Sequence, residues 1–303
     1  MTCRILVPPG IGDVYWVLVK LKSFLQSIGA DHAELTIVSD PDEAGGHLRS
    51  IPYMQMFDWF DIEDPPSVRN DRQLQATWDE AYNGPGRSIF PGVMGYDYFL
   101  SWNGRVNSGG WIEKDDLACD WYPAMTAAAL KRIDYWGVDF RRAVGRYVVL
   151  FWPFYGTYES HVAAFPIEEI SRSLSSILER LQLTAVFIGS AWDAPRNPDV
   201  QQLIGKLRFF RHRVYDLIGK TDLAQMFGLA KHAELVLGYH AGVTNMAAVF
   251  GTKTLLLWDD RYPIETSYAV VPPAARGSNY VALHVNKLTV KEYVDTAVTL
   301  YES

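Results

Sequence analysis

Cysteine is nearly missing from this chain: Cys3 and Cys119 are the only two among 303 residues. Two thiols without Cys-x-x-Cys spacing leave no disulfide framework and argue against structural zinc. The seven histidines are scattered, with no pair at metal-ligand spacing, so no metal site is expected. Long apolar runs are missing as well. The longest, such as Tyr147 to Phe154, fall well short of the ~20 residues that span a bilayer. The N-terminus shows no basic stretch followed by an apolar one, so a cytoplasmic protein without stable membrane insertion is expected. Positive charge is not in excess either. Lys and Arg number 28 against 35 Asp and Glu, and a net charge of −7 argues against a broad footprint for nucleic acid, though a local basic groove stays open. Arg141, Arg142 and Arg146 form one small cluster, and Arg208, Arg211 and Arg213 another. Both read as solvated faces and helix ends before they read as a polyanion site.

What is present is a chain that is 49% hydrophobic and 21% charged, enough to bury one large core or two of ordinary size. Two glycine-flanked segments stand out: Pro8-Pro9-Gly10-Ile11-Gly12-Asp13, and about 225 residues later Gly238-Tyr239-His240-Ala241-Gly242-Val243-Thr244-Asn245. Each follows a short β-branched or aliphatic run and opens a helical pattern, the strand, tight loop and helix grammar of an α/β nucleotide fold. Two such elbows predict two α/β halves facing a cleft.

The first half predicts strands at Arg4–Val7, Glu34–Val38, near Met54–Phe60 and at Tyr96–Ser101, a helix over Val14–Ser27, and polar loops at Glu63–Asn70 and Tyr82–Gly95. A helical stretch from Pro123 to Arg132 leads into Asp134–Arg146, where periodicity lapses and charge rises, a candidate linker. The second half alternates more cleanly. Strands fall at Tyr147–Trp152, Thr184–Ile188, Val214–Leu217, Glu234–Leu237 and Thr254–Trp258, with helices at Ile167–Leu181, Asp199–Leu207, Asp222–Lys231 and Val243–Phe250. A last strand, Tyr280–His284, precedes a helix from about Val290 with Thr289 and Glu292 at capping-box spacing. This alternation predicts a parallel sheet covered on both faces, with ligands at the carboxyl ends of its strands. The division expected is 1–143 and 144–303, the last helix being free to pack back on the first domain.

Gly10 and Gly12 allow close approach of backbone to a ligand, but Tyr15 stands where a dinucleotide fingerprint needs its third glycine, which disfavours a nicotinamide or flavin enzyme. Asp13, at the start of the first helix, reads two ways. It is a helix-capping or first-turn acid, or a carboxylate at the cleft rim available as a general base. Asp259-Asp260 do not suggest a metal site, because adjacent carboxylates point differently from spaced ones.

Three runs then take on a joint meaning: Asp216-Leu217-Ile218-Gly219-Lys220-Thr221-Asp222-Leu223, Ala233-Glu234-Leu235-Val236-Leu237-Gly238-Tyr239-His240-Ala241-Gly242, and Asn245-Met246-Ala247-Ala248-Val249-Phe250-Gly251-Thr252. Together they resemble the C-terminal signature of the ADP-heptose:lipopolysaccharide heptosyltransferase family, and Gly10-Ile11-Gly12-Asp13 is similar to its N-terminal Gly-x-Gly-Asp. Order and separation agree over nearly the full chain. The resemblance implies a GT-B glycosyltransferase, with two Rossmann-like domains and an inverting, metal-independent transfer that needs no cofactor. The partners it implies are a nucleotide sugar and a hydroxyl acceptor.

By that resemblance Asp13 is the base, and Gly242, Val243 and Thr244 hold the donor pyrophosphate. Asp193, in Gly189-Ser190-Ala191-Trp192-Asp193, is similar in place to an acid that binds the ribose; otherwise it caps a polar loop. The departures concern the donor. His240-Ala241-Gly242 replaces Asp-Ser-Gly, Asn245 replaces a histidine, and Ala163 falls where a lysine precedes Trp-Pro. His240 therefore stands either as a replacement phosphate donor or as a loop histidine satisfied by backbone. Lys220 and Thr221 end a strand and cap a helix, or reach the donor. Ser160 and His161 follow the domain's first strand, a donor-facing position. On the acceptor side Gly10, Gly12, Asn103 and Arg105 are candidates. Nearby Tyr98, Phe99, Trp102, Trp111 and Trp121 are mostly core, with some free to stack on sugars or bases. The acceptor expected is a glycan. The alternatives are a same-fold transferase acting on another acceptor, such as hydroxymethylated viral DNA, and a catalytically silent sugar-nucleotide binding protein.

Overall fold

The computed structural model describes residues 1–7, 10–39, 47–56, 67–70, 89–91, 96–100, 118–122, 125–152, 166–189, 198–258 and 263–303. Contacts divide the chain into two compact units, Met1–Leu130 and Lys131–Ser303.

The first unit contains β1 (Thr2–Val7), α1 (Ile11–Ile28), β2 (His32–Ser39), α2 (His47–Met54), β3 (Ser67–Asn70), β4 (Ile89–Pro91), β5 (Tyr98–Leu100) and the first turn of α3 (Ala127–Val144). Its sheet runs β3-β2-β1-β5-β4, parallel except for β4 against β5. Ile5, Leu6 and Val7 are fully buried at its centre. Helix α1 lays Val14, Val17, Leu18, Leu21, Phe24 and Leu25 into the core at helical spacing. It stops at Gly29, whose φ of +70° suits a residue without Cβ, and Ala30 N donates back to Leu25 O (2.9 Å).

Three expectations for this region are corrected. The strand near Met54–Phe60 is instead the end of α2 and a turn as far as Met56, residues 57–60 lying outside the described set. Tyr53, Met54 and Met56 are buried there, and tertiary burial overrides a run that looks extended. Strands β3 and β4 lie within the two segments taken for polar loops. Ser-Val-Arg-Asn is too polar, and Ile-Phe-Pro too short, to signal strand alone. The candidate linker Asp134–Arg146 belongs to α3, which continues unbroken to Val144. Its buried stripe is only Ile133, Gly137 and Val144, while Tyr135, Trp136 and Val138 face outward, so the apolar period is masked.

The second unit contains β6 (Tyr147–Phe151), α4 (Ile167–Leu181), β7 (Thr184–Ile188), α5 (Pro198–Phe209), β8 (Val214–Asp216), α6 (Leu223–His232), β9 (Leu235–Tyr239), α7 (Gly242–Val249), β10 (Thr254–Trp258), α8 (Ile264–Ala269), β11 (Tyr280–His284) and α9 (Val290–Glu302). These match the expected elements closely; α8 is an addition. The sheet runs β11-β10-β9-β6-β7-β8 and every pair is parallel. Counted from β6 this is strand order 3-2-1-4-5-6, the doubly wound nucleotide-binding order, with its reversal between β6 and β9. Strands β6, β7, β9 and β10 are buried at every residue, which is why they read as unbroken apolar runs. Ile170, Leu174, Ile177, Leu178 and Leu181 give α4 its buried stripe, each contributing about 1.5–3 kcal/mol on burial. Helix α9 packs against α4 in the same unit, with Thr289 Oγ1 accepting from Glu292 N (3.1 Å) at its start.

Helices α3 and α6 approach through Gly137 and Gly228. A Cβ on Gly228 would sit 2.5 Å from Ile133 O. Around this crossing Arg132 pairs with Asp222 (2.5 Å), Asp134 accepts from Lys231 (2.8 Å) and contacts His232 Nε2 (2.8 Å), and Arg141 pairs with Glu234.

Candidate functional site

Chain reversal at β6 and β9 sends their carboxyl-end loops in opposite directions, and the gap this leaves is where doubly wound sheets take ligands. The loop after β6, with Ser160 and His161, lies outside the described residues, as does Asp193 after β7. The loop after β9 is described. Gly238 lets β9 press against β6, since a Cβ there would stand 1.9 Å from Phe151 O. Tyr239 is buried, packing edge-on against Trp152, the residue after β6, with centroids 5.1 Å apart. His240 and Ala241 then turn the chain into α7.

Ala241 is the N-cap of α7 and has no side-chain acceptor, so no side chain caps the helix. The first amides, Gly242, Val243 and Thr244, have no acceptor within the helix by geometry, and they aim the positive dipole end at the carboxyl edge of the sheet. Val243 has no polar side-chain group, so only its backbone could bond a ligand. The Thr244 hydroxyl is used locally, accepting from Ala241 N (3.0 Å) and donating to Ala241 O (2.8 Å).

His240 packs edge-on against Trp258 at the end of β10, with centroids 4.9 Å apart. Burial pushes its pKa from an ordinary 6.5 down to about 4, so the ring is neutral at pH 7. Asn245 Nδ2 lies 3.4 Å from His240 Nε2, which fits a ring that accepts at Nε2 and is protonated on Nδ1. His240 thus carries one N–H and no net charge, where a lysine would carry a full positive charge. Asn245 is 1% exposed, and its Oδ1 has no hydrogen-bond partner among the described residues. The neutral histidine has a consequence for stability. The unfolded chain takes up a proton near pH 6.5 that the folded chain refuses until about pH 4, so stability should fall as pH drops through that window. Thermal melts should show this fall, and His240→Gln should lessen it.

Lys220 lies on the same edge but near β8, three strands from β9 or about 14 Å. Its Nζ donates to Asp216 O (2.7 Å) and pairs with the Asp216 carboxylate (3.7 Å). The helix that follows is capped by Asp222, not by Lys220 or Thr221; Asp222 accepts from Gln225 N (2.9 Å) and Gln225 returns a bond to Asp222 N (2.9 Å).

In the first unit, the loop after β1 also stands at a reversal, because β1 pairs with β2 on one side and β5 on the other. Gly10 is the N-cap of α1, with Val14 N donating to its carbonyl (2.9 Å). Gly12 and Asp13 are the second and third helical residues, so Asp13 is a first-turn residue and not the cap. Tyr15 is fully buried where a dinucleotide fold brings helix and sheet close. Asn103, Arg105, Trp102 and Trp111 lie outside the described residues. Tyr98 packs edge-on against Phe24 (5.0 Å), a core role.

The structure therefore brings together His240, Gly242, Val243, Thr244 and Asn245, and leaves Lys220 apart. Sequence reasoning missed Trp258 and the steric role of Gly238. An aromatic residue ending a buried strand, and a lone glycine inside one, were the available signals. Among the described residues no group of three His, Cys, Asp or Glu is placed to hold a metal ion.

Residues 130–298 match the family model for glycosyltransferase family 9 (heptosyltransferase). Among solved structures, ADP-heptose lps heptosyltransferase II of E. coli superposes with TM-score 0.62 at 12% identity, covering 100% of this chain and 99% of that one. E. coli heptosyltransferase WaaC with ADP gives TM-score 0.52 at 14% identity, covering 100% and 98%. A putative UDP-N-acetylglucosamine 2-epimerase from Listeria monocytogenes gives 0.54 at 11%, covering 100% and 89%. At these identities the structures share the GT-B fold with this chain. No match is found among curated proteins.

Proposed function

The chain belongs to glycosyltransferase family 9, the heptosyltransferase family, and from that membership we propose that it transfers a sugar from a nucleoside-diphosphate donor to an acceptor hydroxyl. The observation that carries the donor site is the uncapped start of α7 at the reversal of the second sheet. Amides of Gly242, Val243 and Thr244 would bind the pyrophosphate without a cation. The neutral His240 would add one N–H, and Asn245 Oδ1 would accept from a ligand hydroxyl or bridging water. Asp193 would take the ribose, and Ser160 and His161 the periphery of the donor, whereas Lys220, held by Asp216, stays outside it. The two structures named with ADP or ADP-heptose support a nucleoside diphosphate as the probe.

In the reaction, the acceptor oxygen attacks the anomeric carbon as the bond to the departing diphosphate breaks, with inversion. Asp13 takes the hydroxyl proton, and the helix amides stabilise the charge that develops on the leaving group. Gly10, Gly12, Asn103 and Arg105 are assigned to the acceptor, which we take to be a glycan. No metal is required in this scheme, so turnover should persist in chelator. The test of the donor site is Gly242→Val, which places a branched side chain where amides would meet phosphate. Nucleoside-diphosphate binding should fall at least ~10-fold with the melting temperature of the free protein kept. Unchanged affinity in the folded variant removes this placement.

A further inference from the structure

The two arginine clusters of the sequence meet in the fold. Arg146 immediately precedes β6, and Arg213 immediately precedes β8. Thr184 N donates to Arg146 O (3.0 Å) and Ala185 N to Arg213 O (3.0 Å), so both arginines stand on the amino edge of the second sheet, about 10 Å apart. Arg213 Nη1 also reaches Val144 O (3.4 Å), joining this edge to the end of α3, where Arg142 is exposed.

Beside them α5 ends in a closed turn. Arg211 N donates to Arg208 O (2.9 Å) and His212 N to Leu207 O (3.1 Å), with Arg211 itself at φ +66°. Leu207 is fully buried and anchors the turn, while Phe209 is 83% exposed and Phe210 40%. Their rings touch edge-on at 5.9 Å and form one apolar tip. Arg208 and Arg211 are exposed and have no ion-pair partner among the described residues. Arg213 bonds the Tyr215 hydroxyl and a carbonyl, neither of which cancels its charge. Of the acids nearby, Glu168 pairs with Lys206 (3.2 Å) and Glu234 with Arg141 and Arg146, while Glu179 faces His212 (3.9 Å), which burial keeps neutral at pH 7, and retains its charge.

We propose that this edge is a docking surface for an anionic lipid bilayer, with Phe209 and Phe210 entering the headgroup layer and Arg208, Arg211 and Arg213 pairing with lipid phosphates. Protruding aromatic side chains flanked by arginine suit that boundary, since one end of the patch is apolar and its rim is cationic. A second copy fits worse, because a twofold contact would set these arginines against themselves. The net charge of −7 opposes either polyanion alike, and the apolar Phe209–Phe210 tip favours the bilayer over nucleic acid. A left-handed conformation at Arg211 is tolerated most easily by glycine, so the arginine is held there against local preference. The surface lies at the opposite end of the strands from His240 and Gly242, about 17 Å away over five residues, and rests on no assignment of the donor.

The test is co-sedimentation of the full chain with vesicles of phosphatidylcholine alone and of phosphatidylcholine with phosphatidylglycerol. Binding is expected to the anionic vesicles alone and should weaken with added salt. Phe209→Ser combined with Phe210→Ser should lower it at least ~10-fold, and Arg208→Ala about fivefold. Arg211→Gly should lower binding while raising the melting temperature, which separates lost docking from lost folding. No sedimentation with either vesicle overturns the proposal, as does equal binding by the Phe209/Phe210 double variant. Retention by an oligonucleotide without vesicle binding, or a dimer that Phe209→Ser dissolves without vesicle binding, overturns it too.

Discussion

Asp13→Asn is expected to cut turnover by about 10²- to 10⁴-fold while leaving donor affinity nearly unchanged, the loss typical of a removed general base. The substitution is chosen for its position. Asp13 is the third residue of α1, a first-turn position at which an acid would add about 0.3–1 kcal/mol through the helix dipole. An amide of the same size gives up that small term and keeps the backbone, so the folded population should hardly change. Proton abstraction, by contrast, is lost outright. Steady-state rates and a separate donor titration distinguish the cases. Near-normal turnover would make the carboxylate structural, and collapse of donor binding would move Asp13 into the donor pocket.

Gly238→Ala is expected to destabilise the second unit by about 3 kcal/mol or more, and to disturb nucleotide binding with it. A Cβ at this position would stand 1.9 Å from Phe151 O and 2.9 Å from Phe151 C, both backbone atoms of the neighbouring central strand. A side chain can rotate away from such a contact, but a carbonyl in the register Phe151↔Gly238 moves only if β6 and β9 separate. Those strands flank the reversal, and His240 follows two residues later, so the donor edge shifts with them. Urea titration should show a lower midpoint. A midpoint equal to that of the unsubstituted chain would mean that the sheet yields there at no cost.

The second unit is largely legible from its sequence because its physics is local and repetitive. Strands buried on both faces must be apolar throughout, as Tyr147–Phe151 and Thr184–Ile188 are, and the α4 stripe repeats at helical spacing. Thr289 and Glu292 mark the start of α9 by side-chain chemistry alone. The first unit hides more. Ser67–Asn70 and Ile89–Pro91 become strands only because β2 and β5 offer them hydrogen bonds, and α2 forms around Pro52 by burying Tyr53 and Met54. In α3 close packing through Gly137 replaces the large apolar residues that would have announced a buried face. At the candidate site, the strand-to-helix turn from Gly238 to Asn245 is legible from the elbow pattern. The neutral charge of His240 is not, because it follows from burial beside Trp258, a residue distant in sequence.

The central claim, that a nucleoside diphosphate sits on the start of α7 at the β6–β9 reversal, is tested most directly by amide hydrogen exchange. The chain would be compared with and without the nucleoside diphosphate that stabilises it most in a thermal-shift series of ADP, UDP, GDP and CDP. Slowed exchange is predicted at residues 240–245, strongest at the Val243 and Thr244 amides, with little change at the amino edge near Arg146 and Arg213. Protection confined to other segments, with residues 240–245 exchanging as in the free chain, would contradict it.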